Sequence, residues 1–495
     1  MPELAPSTSV PSTLAPAPDQ ESSEPPAPPD VEWVVQVGGT GDDKFNALTS
    51  TLSADSENRA SESIVAVGST SEGITSPTAG AEDVLSSRIA ANGEIESTDV
   101  VGSKNTDVAT AASRVYAPVR NNQSPLSEAV ACGLTGGDLA GPPLGLFDGW
   151  CGPVAHGGDT TTDSSGADDL FGFSIKSFGA ESNEVVTGIA ATLPDDNSTL
   201  AAEQNVYISG TTDGLYPAAG DSTGRGLGLG DALAFRTSLS RGTAWIRQFG
   251  TPQPDAATAV CTVDGNGYFV GWTDGDLGAK SSGGRDAWIS MIDRAGMQRW
   301  LIQFGYGANE EFRAVAVGGE PAEGTQQFIA VGLTDGDGPQ PSKGGKDALI
   351  AAFAPDGSVL WSLQTGGELD DDAAAVAYHD STIYVAGTTT SAAASPDASA
   401  IDGIGDLNPA IGPGGAKDIF LTAIDPATGA VQWTTRLGSD GDEVVTSMTV
   451  SEGGLLTIAG STTGALGTNT NAGKADAFVV AFQLPSAGGG AQSWV

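Results

Sequence analysis

Residues Trp361 to Thr389 read WSLQTGGELDDDAAAVAYHDSTIYVAGTT, and the landmarks of this stretch recur along the chain. Gly366 is followed five residues later by an acid, Asp371, and the same step joins Gly38 to Asp43, Gly102 to Asp107, Gly179 to Glu184, Gly250 to Asp255, Gly305 to Glu310 and Gly438 to Glu443. Five residues beyond each acid stands an apolar residue: Leu48, Ala112, Ile189, Val260, Val315, Val376 or Met448. Five residues before the Gly stands Trp33, Trp245, Trp300, Trp361 or Trp433, with Ser97 and Ser174 in the other two copies. A second mark, Gly-x-Thr, ends at Thr70, Thr135, Thr212, Thr273, Thr334, Thr389 and Thr462, each after a β-rich run. A third, an Asp opening an apolar run, occurs at Asp83, Asp231, Asp286, Asp347, Asp418 and Asp476. Such repetition sets the architecture before any local assignment.

Each unit holds four short strands, the last two joined by turns such as Asp356-Gly357 or Thr428-Gly429. Four antiparallel strands per repeat make a propeller blade, whereas a solenoid repeat carries one or two elements. The first strand, read from Ala373-Ala374-Ala375-Val376, has the small residues that fit near an axis. The Trp strand is expected outermost, its ring in the gap between blades. The last blade lacks its Trp strand, since the expected position falls on Gly490 and Trp494 is out of register. Trp33 to Gly38, in turn, is such a strand with no blade before it. The expectation is an all-β, seven-bladed β-propeller over residues 31–495, closed by its N-terminal strand so that no sheet edge stays open. Residues 1–30, rich in Pro, Ser and acids, read as a disordered tether. The second blade is irregular: a loop runs from Gly136 to Asp168 and the outer strands stay unassigned. Cys132 occupies a strand position filled elsewhere by Val67, Val270 or Ala386, which favours a buried thiol over a disulfide to Cys151.

Lys plus Arg number 21 against 62 Asp plus Glu, a formal net charge of −41. Such a field repels polyphosphate, which excludes nucleic acid as a partner. The acidity reads as a solvated surface of an extracellular or high-salt protein, or more sharply as divalent-cation binding. Three Cys form no disulfide framework, and His156 and His379 stand too far apart in sequence for a zinc motif. No signal-peptide pattern opens the chain and no apolar run is long enough to span a membrane.

The seven acids, Asp43, Asp107, Glu184, Asp255, Glu310, Asp371 and Glu443, are expected near one mouth of the central channel. There they either hold a cation or accept backbone N–H groups between blades, and the second reading is preferred because every blade needs it. Asp274, Asp276, Asp335 and Asp337 have the spacing of calcium-binding loops, and equally of Asx turns without metal. Calcium is the one cofactor the sequence suggests. No nucleophile elbow and no phosphate-cradling loop occur. The loops Gly136 to Asp168 and Thr390 to Lys417 are the candidate contact surface, with Phe147, Trp150 and His156 as binding residues.

The unit formed by Trp361 to Gly366, Asp371 to Val376, Ile383 to Thr389 and Gly415 to Ile424 resembles the bacterial β-propeller repeat family labelled SBBP, over residues 33 to 484. That resemblance implies a secreted or cell-surface protein. The turn from Asp425 to Trp433 also resembles quinoprotein-dehydrogenase repeats, but their cofactor platform and calcium ligands have no match in this sequence. The expected function is a non-enzymatic, monomeric scaffold presenting loops to a protein or glycan at the cell surface. The alternatives are a carboxylate-dependent glycan-active hydrolase, in which two acids flank a glycosidic bond, and a calcium-binding surface protein.

Overall fold

The computed structural model describes residues 27–54, 60–72, 74, 78–116, 127–137, 139, 147–154, 176–178, 183–192, 204–214, 228, 230–238, 242–319, 324–390 and 415–485. Among them there is no helix, and hence none long and apolar enough to cross a membrane. The strands form seven four-stranded antiparallel sheets, the seven-bladed β-propeller that the repeat predicts.

Blade 1 is Asp43–Ala54, Ala60–Thr70, Asp83–Ala90 and Ile95–Val101. Blade 2 is Asp107–Tyr116, Ser127–Thr135, Asp148–Pro153 and Lys176–Phe178. Blade 3 is Glu184–Ala191, Asn205–Thr212, Asp231–Ser238 and Gly242–Phe249. Blade 4 is Asp255–Val263, Asn266–Thr273, Asp286–Ile292 and Gln298–Phe304. Blade 5 is Glu310–Gly318, Gln327–Thr334, Asp347–Phe353 and Val359–Thr365. Blade 6 is Asp371–His379, Thr382–Thr390, Lys417–Ile424 and Val431–Leu437. Blade 7 is Glu443–Val450, Leu455–Thr462 and Asp476–Gln483, and its fourth strand is Val31–Val37, which pairs antiparallel from Val31↔Phe482 to Val37↔Ala477.

First strands of neighbouring blades touch one another all the way round, from blade 1 to blade 7 and back to blade 1, so they are the innermost strands. The apolar core divides into seven clusters, each shared by two adjacent blades. Sheets are covered by their neighbours rather than by a second layer of their own.

The innermost strands carry a shared irregularity. In each, the register to the second strand slips between the third and fifth residues, at Phe45/Ala47, Ala109/Ala111, Val186/Gly188, Ala257/Ala259, Phe312/Ala314, Ala373/Ala375 and Val445/Ser447. The extra residue is a β-bulge, which removes backbone groups from the ladder and re-aims a side chain. Five of the seven extra residues use that freedom on the next blade. Asn46 donates to Ala109 O at 2.8 Å, Thr110 to Val186 O at 2.6 Å, Thr187 to Ala257 O at 2.7 Å, Thr258 to Phe312 O at 2.7 Å and Thr446 to Phe45 O at 2.6 Å. At the fifth blade the residue is Arg313, which pairs with Asp372 of blade 6 instead. At the sixth it is Ala374, and there the Val445 N–H of blade 7 donates to Thr388 Oγ1 of blade 6 at 3.0 Å. The Gly of Gly-x-Thr lies under the bulge: a Cβ on Gly332 would sit 1.9 Å from Glu311 O, and one on Gly460 1.8 Å from Val444 O.

On the outer side, tryptophans tie blades together as expected. Trp33, Trp245, Trp300 and Trp361 donate their indole N–H to Ala91, Arg294, Pro355 and Pro426 carbonyls in the following blade's outer hairpin, at 2.8–3.2 Å. Each ring lies on the turn glycine there, Gly93, Gly296, Gly357 or Gly429, whose φ of +72° to +86° admits the turn without strain.

Two expectations for blade 2 change. Its third strand opens on Asp148, a seventh copy of the strand-opening Asp inside what the sequence reads as a loop, and its fourth strand is only three residues long. Cys132 and Cys151 are register partners on adjacent strands and form a disulfide, where the sequence favours a free thiol. Strand pairing decides this, because it sets the two Cα atoms 4.1 Å apart, and pairing was invisible while the third strand was unassigned. Residues 1–26 of the expected tether lie outside the described residues.

A chain starting at Gly39 loses the fourth strand of blade 7 along with buried Val35 and Val37. It is expected to lose its cooperative thermal transition by circular dichroism, and a synthetic peptide covering residues 31–37 to restore it. Replacing Cys132 and Cys151 together by Ala opens a link spanning 19 residues and is expected to lower the unfolding free energy by about 3 kcal/mol in urea titrations.

Candidate functional site on the carboxylate face

The seven first-strand acids all start their strands on one face of the ring, and all are buried. Each is bonded to the crossing that enters its blade wherever that crossing is described. Gly39 N–H donates to Asp43 Oδ2 at 2.7 Å, Ser103 to Asp107 at 2.5 Å, Thr251 to Asp255 at 2.5 Å, Tyr306 to Glu310 at 2.8 Å, Gly367 to Asp371 at 2.6 Å and Ser439 to Glu443 at 2.9 Å. The Gly-x-Thr threonine is the register partner of the acid. Its hydroxyl donates to Asp107 at 2.5 Å, Glu184 at 2.9 Å, Glu310 at 2.9 Å and Glu443 at 2.6 Å.

The same threonine pairs on its other side with the third-strand Asp, for example Thr334↔Asp347. These aspartates, Asp83, Asp148, Asp231, Asp286, Asp347, Asp418 and Asp476, are buried too. Among the described residues every buried acid belongs to one of these two rings. In four blades a glutamine two residues before the motif Gly holds the Asp: Gln36, Gln248, Gln303 and Gln364 donate to Asp476, Asp231, Asp286 and Asp347 at 2.6–2.9 Å. In blade 6 the position is Arg436, which pairs with Asp418. The other oxygen of the Asp reaches the motif Gly. A Cβ there would sit 2.1 Å from Asp476 Oδ1 at Gly38, 2.0 Å from Asp286 Oδ1 at Gly305 and 2.3 Å from Asp347 Oδ1 at Gly366. A glycine Cα–H facing a carboxylate oxygen supplies a weak donor that no other residue type could offer at that spacing. The Gln position carries its own mark in the sequence, Trp-x-x-Gln-x-Gly, in these four blades.

Burial pushes the Asp43, Asp255, Glu310 and Glu443 carboxyls up, against the donors just named, and the adjoining third-strand Asp pushes in the same direction. Asp371 is raised to about 6, chiefly by burial, with Asp347 adding to it.

Of the candidate binding residues, Phe147 is partly exposed at 38% on this face. Trp150 is not an anchor: it lies buried in the core between blades 1 and 2, its Nε1–H on Leu134 O at 3.1 Å. Its place on the third strand explains the difference. His156 lies outside the described residues, as do residues 138, 140–146 and 155–168 of the first candidate loop and 391–414 of the second. Asp274, Asp276, Asp335 and Asp337 do not gather into one group, although Asp274 and Asp335 line the same recess. Asp274 pairs with Arg285 at 2.9 Å, Asp276 accepts Ser281 N–H at 2.8 Å, Asp335 accepts Asn309 N–H at 2.8 Å and Asp337 accepts Ser342 N–H at 2.9 Å. No group of three or more His, Cys, Asp and Glu side chains arranged for a metal occurs among the described residues.

A recess of about 540 Å³ opens on this face between blades 4 and 5. Arg285, Asn309, Glu311, Asp335 and Lys346 line it. Arg285 lies 3.5 Å above the Trp272 ring and bridges Asp274 and Glu311 at 2.9 and 3.1 Å, so its guanidinium is fixed in place. Away from the recess, Cys261 is a free thiol that burial pushes up to about 12, so it stays protonated.

No family model matches the chain, and no curated protein does. Solved structures similar to it include the phage phi92 endosialidase, at 10% identity and a TM-score of 0.42 over 94% of this chain and 71% of that one. Extracellular domains 1–2 of Drosophila Semaphorin 1b match at 10% identity and 0.37 over 90% and 88%, and the Synechocystis apocarotenoid oxygenase at 10% and 0.41 over 91% and 96%. Values in this range speak to neither activity nor partner.

Trp150→Ala is expected to cost about 3–5 kcal/mol of stability, the range for a buried Trp, while Phe147→Ala leaves the unfolding midpoint nearly unchanged. Equal effects in denaturant titrations would contradict the placement of Trp150. Thr334→Val removes a donor to buried Glu310 and is expected to cost about 1–3 kcal/mol by the same measurement.

Proposed function

We propose that the protein is a non-enzymatic propeller scaffold of an extracytoplasmic compartment, binding a glycan or protein through its carboxylate face. The observation that carries this reading is the recess between blades 4 and 5, on the face where every connection from second to third strand emerges. Its lining offers a fixed guanidinium, an ammonium, an amide and carboxylates within one opening, a mixture suited to a ligand rich in hydroxyl groups. Loops on a rigid ring are the usual place for such contacts. The Cys132–Cys151 disulfide belongs to the chemistry of oxidising compartments, which supports the location.

The hydrolase reading needs two carboxylates flanking an accessible bond. The two acid rings are buried and hydrogen-bonded to the blades they join, which disfavours it.

Surface plasmon resonance against defined neutral and acidic oligosaccharides tests the proposal. Expected is a ligand whose affinity falls at least about tenfold, near 1.4 kcal/mol, in Arg285→Ala and in Lys346→Ala. Binding untouched by both but abolished by Arg299→Ala on the opposite face would overturn the assigned surface. Release of new reducing ends would overturn the non-enzymatic reading.

A further inference from the structure

We propose that the blade junctions form a proton-sensitive closure, in which a buried first-strand acid, lying beside the third-strand aspartate of the preceding blade, takes up a proton in mildly acidic medium and so tightens the ring. The geometry is clearest between blades 5 and 6. Asp347 and Asp371, each about 1% exposed, converge on Gly366, where a Cβ would sit 2.3 Å from Asp347 Oδ1 and 2.9 Å from Asp371 Oδ2. The N–H donors lie on the Oδ2 side of both. Gln364 Nε2 reaches Asp347 Oδ2 at 2.6 Å, and Gly367 N–H reaches Asp371 Oδ2 at 2.6 Å. Oδ1 of Asp347 is buried without a hydrogen-bond partner, and beside Asp371 stands the hydroxyl of its register partner Thr389. Two buried carboxylates thus meet at one glycine with few donors around them, and a bound proton supplies one more while removing a charge from a desolvated site.

The arrangement recurs. Oδ1 of the third-strand aspartates Asp476 between blades 7 and 1 and Asp286 between blades 4 and 5 is likewise buried and without a partner. The charged groups facing the Asp347–Asp371 pair are few. Arg436 of blade 6 lowers Asp371, and the Thr389 hydroxyl beside it acts in the same direction. Both are outweighed by burial and by Asp347, which leaves Asp371 near 6. At three other junctions the facing charges are Asp476 and Asp42 for Asp43, Asp231 for Asp255, and Asp286 and Asp335 for Glu310, all acidic, and between blades 6 and 7 Asp418, itself paired with Arg436, faces Glu443.

The sign follows from linkage. A carboxyl whose pKa is higher in the folded state than in the unfolded chain binds its proton preferentially when folded. Its stabilisation is therefore complete below the unfolded value of about 3.9 and is lost as pH rises through the folded value. For Asp371 that window runs from the ordinary aspartate value to about 6, and across it the folding equilibrium constant falls on the order of a hundredfold.

The test is thermal unfolding from pH 4.5 to 8 in 1 M NaCl, where the screening length is about 3 Å and diffuse repulsion from the acidic surface is suppressed. The melting temperature is expected to fall as pH rises. Asp371→Asn, which carries a donor at the same place, is expected to melt higher than the parent at pH 8 and to flatten the dependence. The exposed Asp356→Asn is expected to leave it unchanged. A melting temperature independent of pH, or the same slope in Asp371→Asn as in the parent, would overturn the proposal. So would full restoration of the pH 8 value by calcium alone, which would put a cation between the carboxylates in place of the proton.

Discussion

Every first strand contains one residue too many for its ladder, and the ring depends on where that residue points. In a flat sheet a bulge is a local defect; here its position repeats seven times, three residues after the buried acid. A carbonyl freed on one blade is answered by a hydroxyl or amide freed on its neighbour, so the innermost strands are joined by side chain to backbone bonds across gaps that no ladder spans. Each neutral bond is worth only about 1 kcal/mol, but bonds in a closed ring support one another. The two departures fall side by side. Arg313 answers with an ion pair and Ala374 with nothing, and the Val445 N–H bond to Thr388 takes over at the second gap.

That constraint explains the motif glycines in different ways. The Gly of Gly-x-Thr is required because the bulge pushes a carbonyl into the place of its Cβ, whereas the Gly before the acid is required because the third-strand Asp of the preceding blade occupies that place. Sequence periodicity showed both as landmarks without distinguishing them. The reason is physical: each neighbour lies on another strand, and in the second case the crowding arises where one blade meets the next. The bulge residue itself, Thr in four of seven copies, left a trace in the sequence that spacing rules for regular strands pass over.

Fold, blade number, closure by Trp33's strand and the inter-blade place of the tryptophans were legible, because each rests on a residue type recurring at fixed spacing. Blade 2 was not. Its third strand opens on Asp148 after residues that break the spacing, so Trp150 and Cys151 were read as loop residues when pairing with the second strand buries both. The error had one cause and three consequences: a core tryptophan taken for an anchor, a disulfide taken for a thiol, and a missing strand. The recess beside Arg285 was illegible for a different reason. It is shared between two blades, and its residues belong to no motif.

The two acid rings also bear on how a chain of net charge −41 can close at all. Carboxylates are costly to bury, and a neutral amide in their place would carry no charge into the junction. An amide, however, offers one accepting oxygen. Asp107, Glu310 and Glu443 accept from the crossing loop on one oxygen and from the threonine on the other, as Glu443 does with Ser439 N–H on Oε2 and Thr462 on Oε1. At those three positions only a carboxylate accepts on both. The desolvation cost is therefore tied to the geometry that fixes the crossing, and an adjoining carboxylate at the same glycine raises that cost further. The ring closes through groups whose charge it disfavours, and that conflict ties its stability to the proton concentration around it.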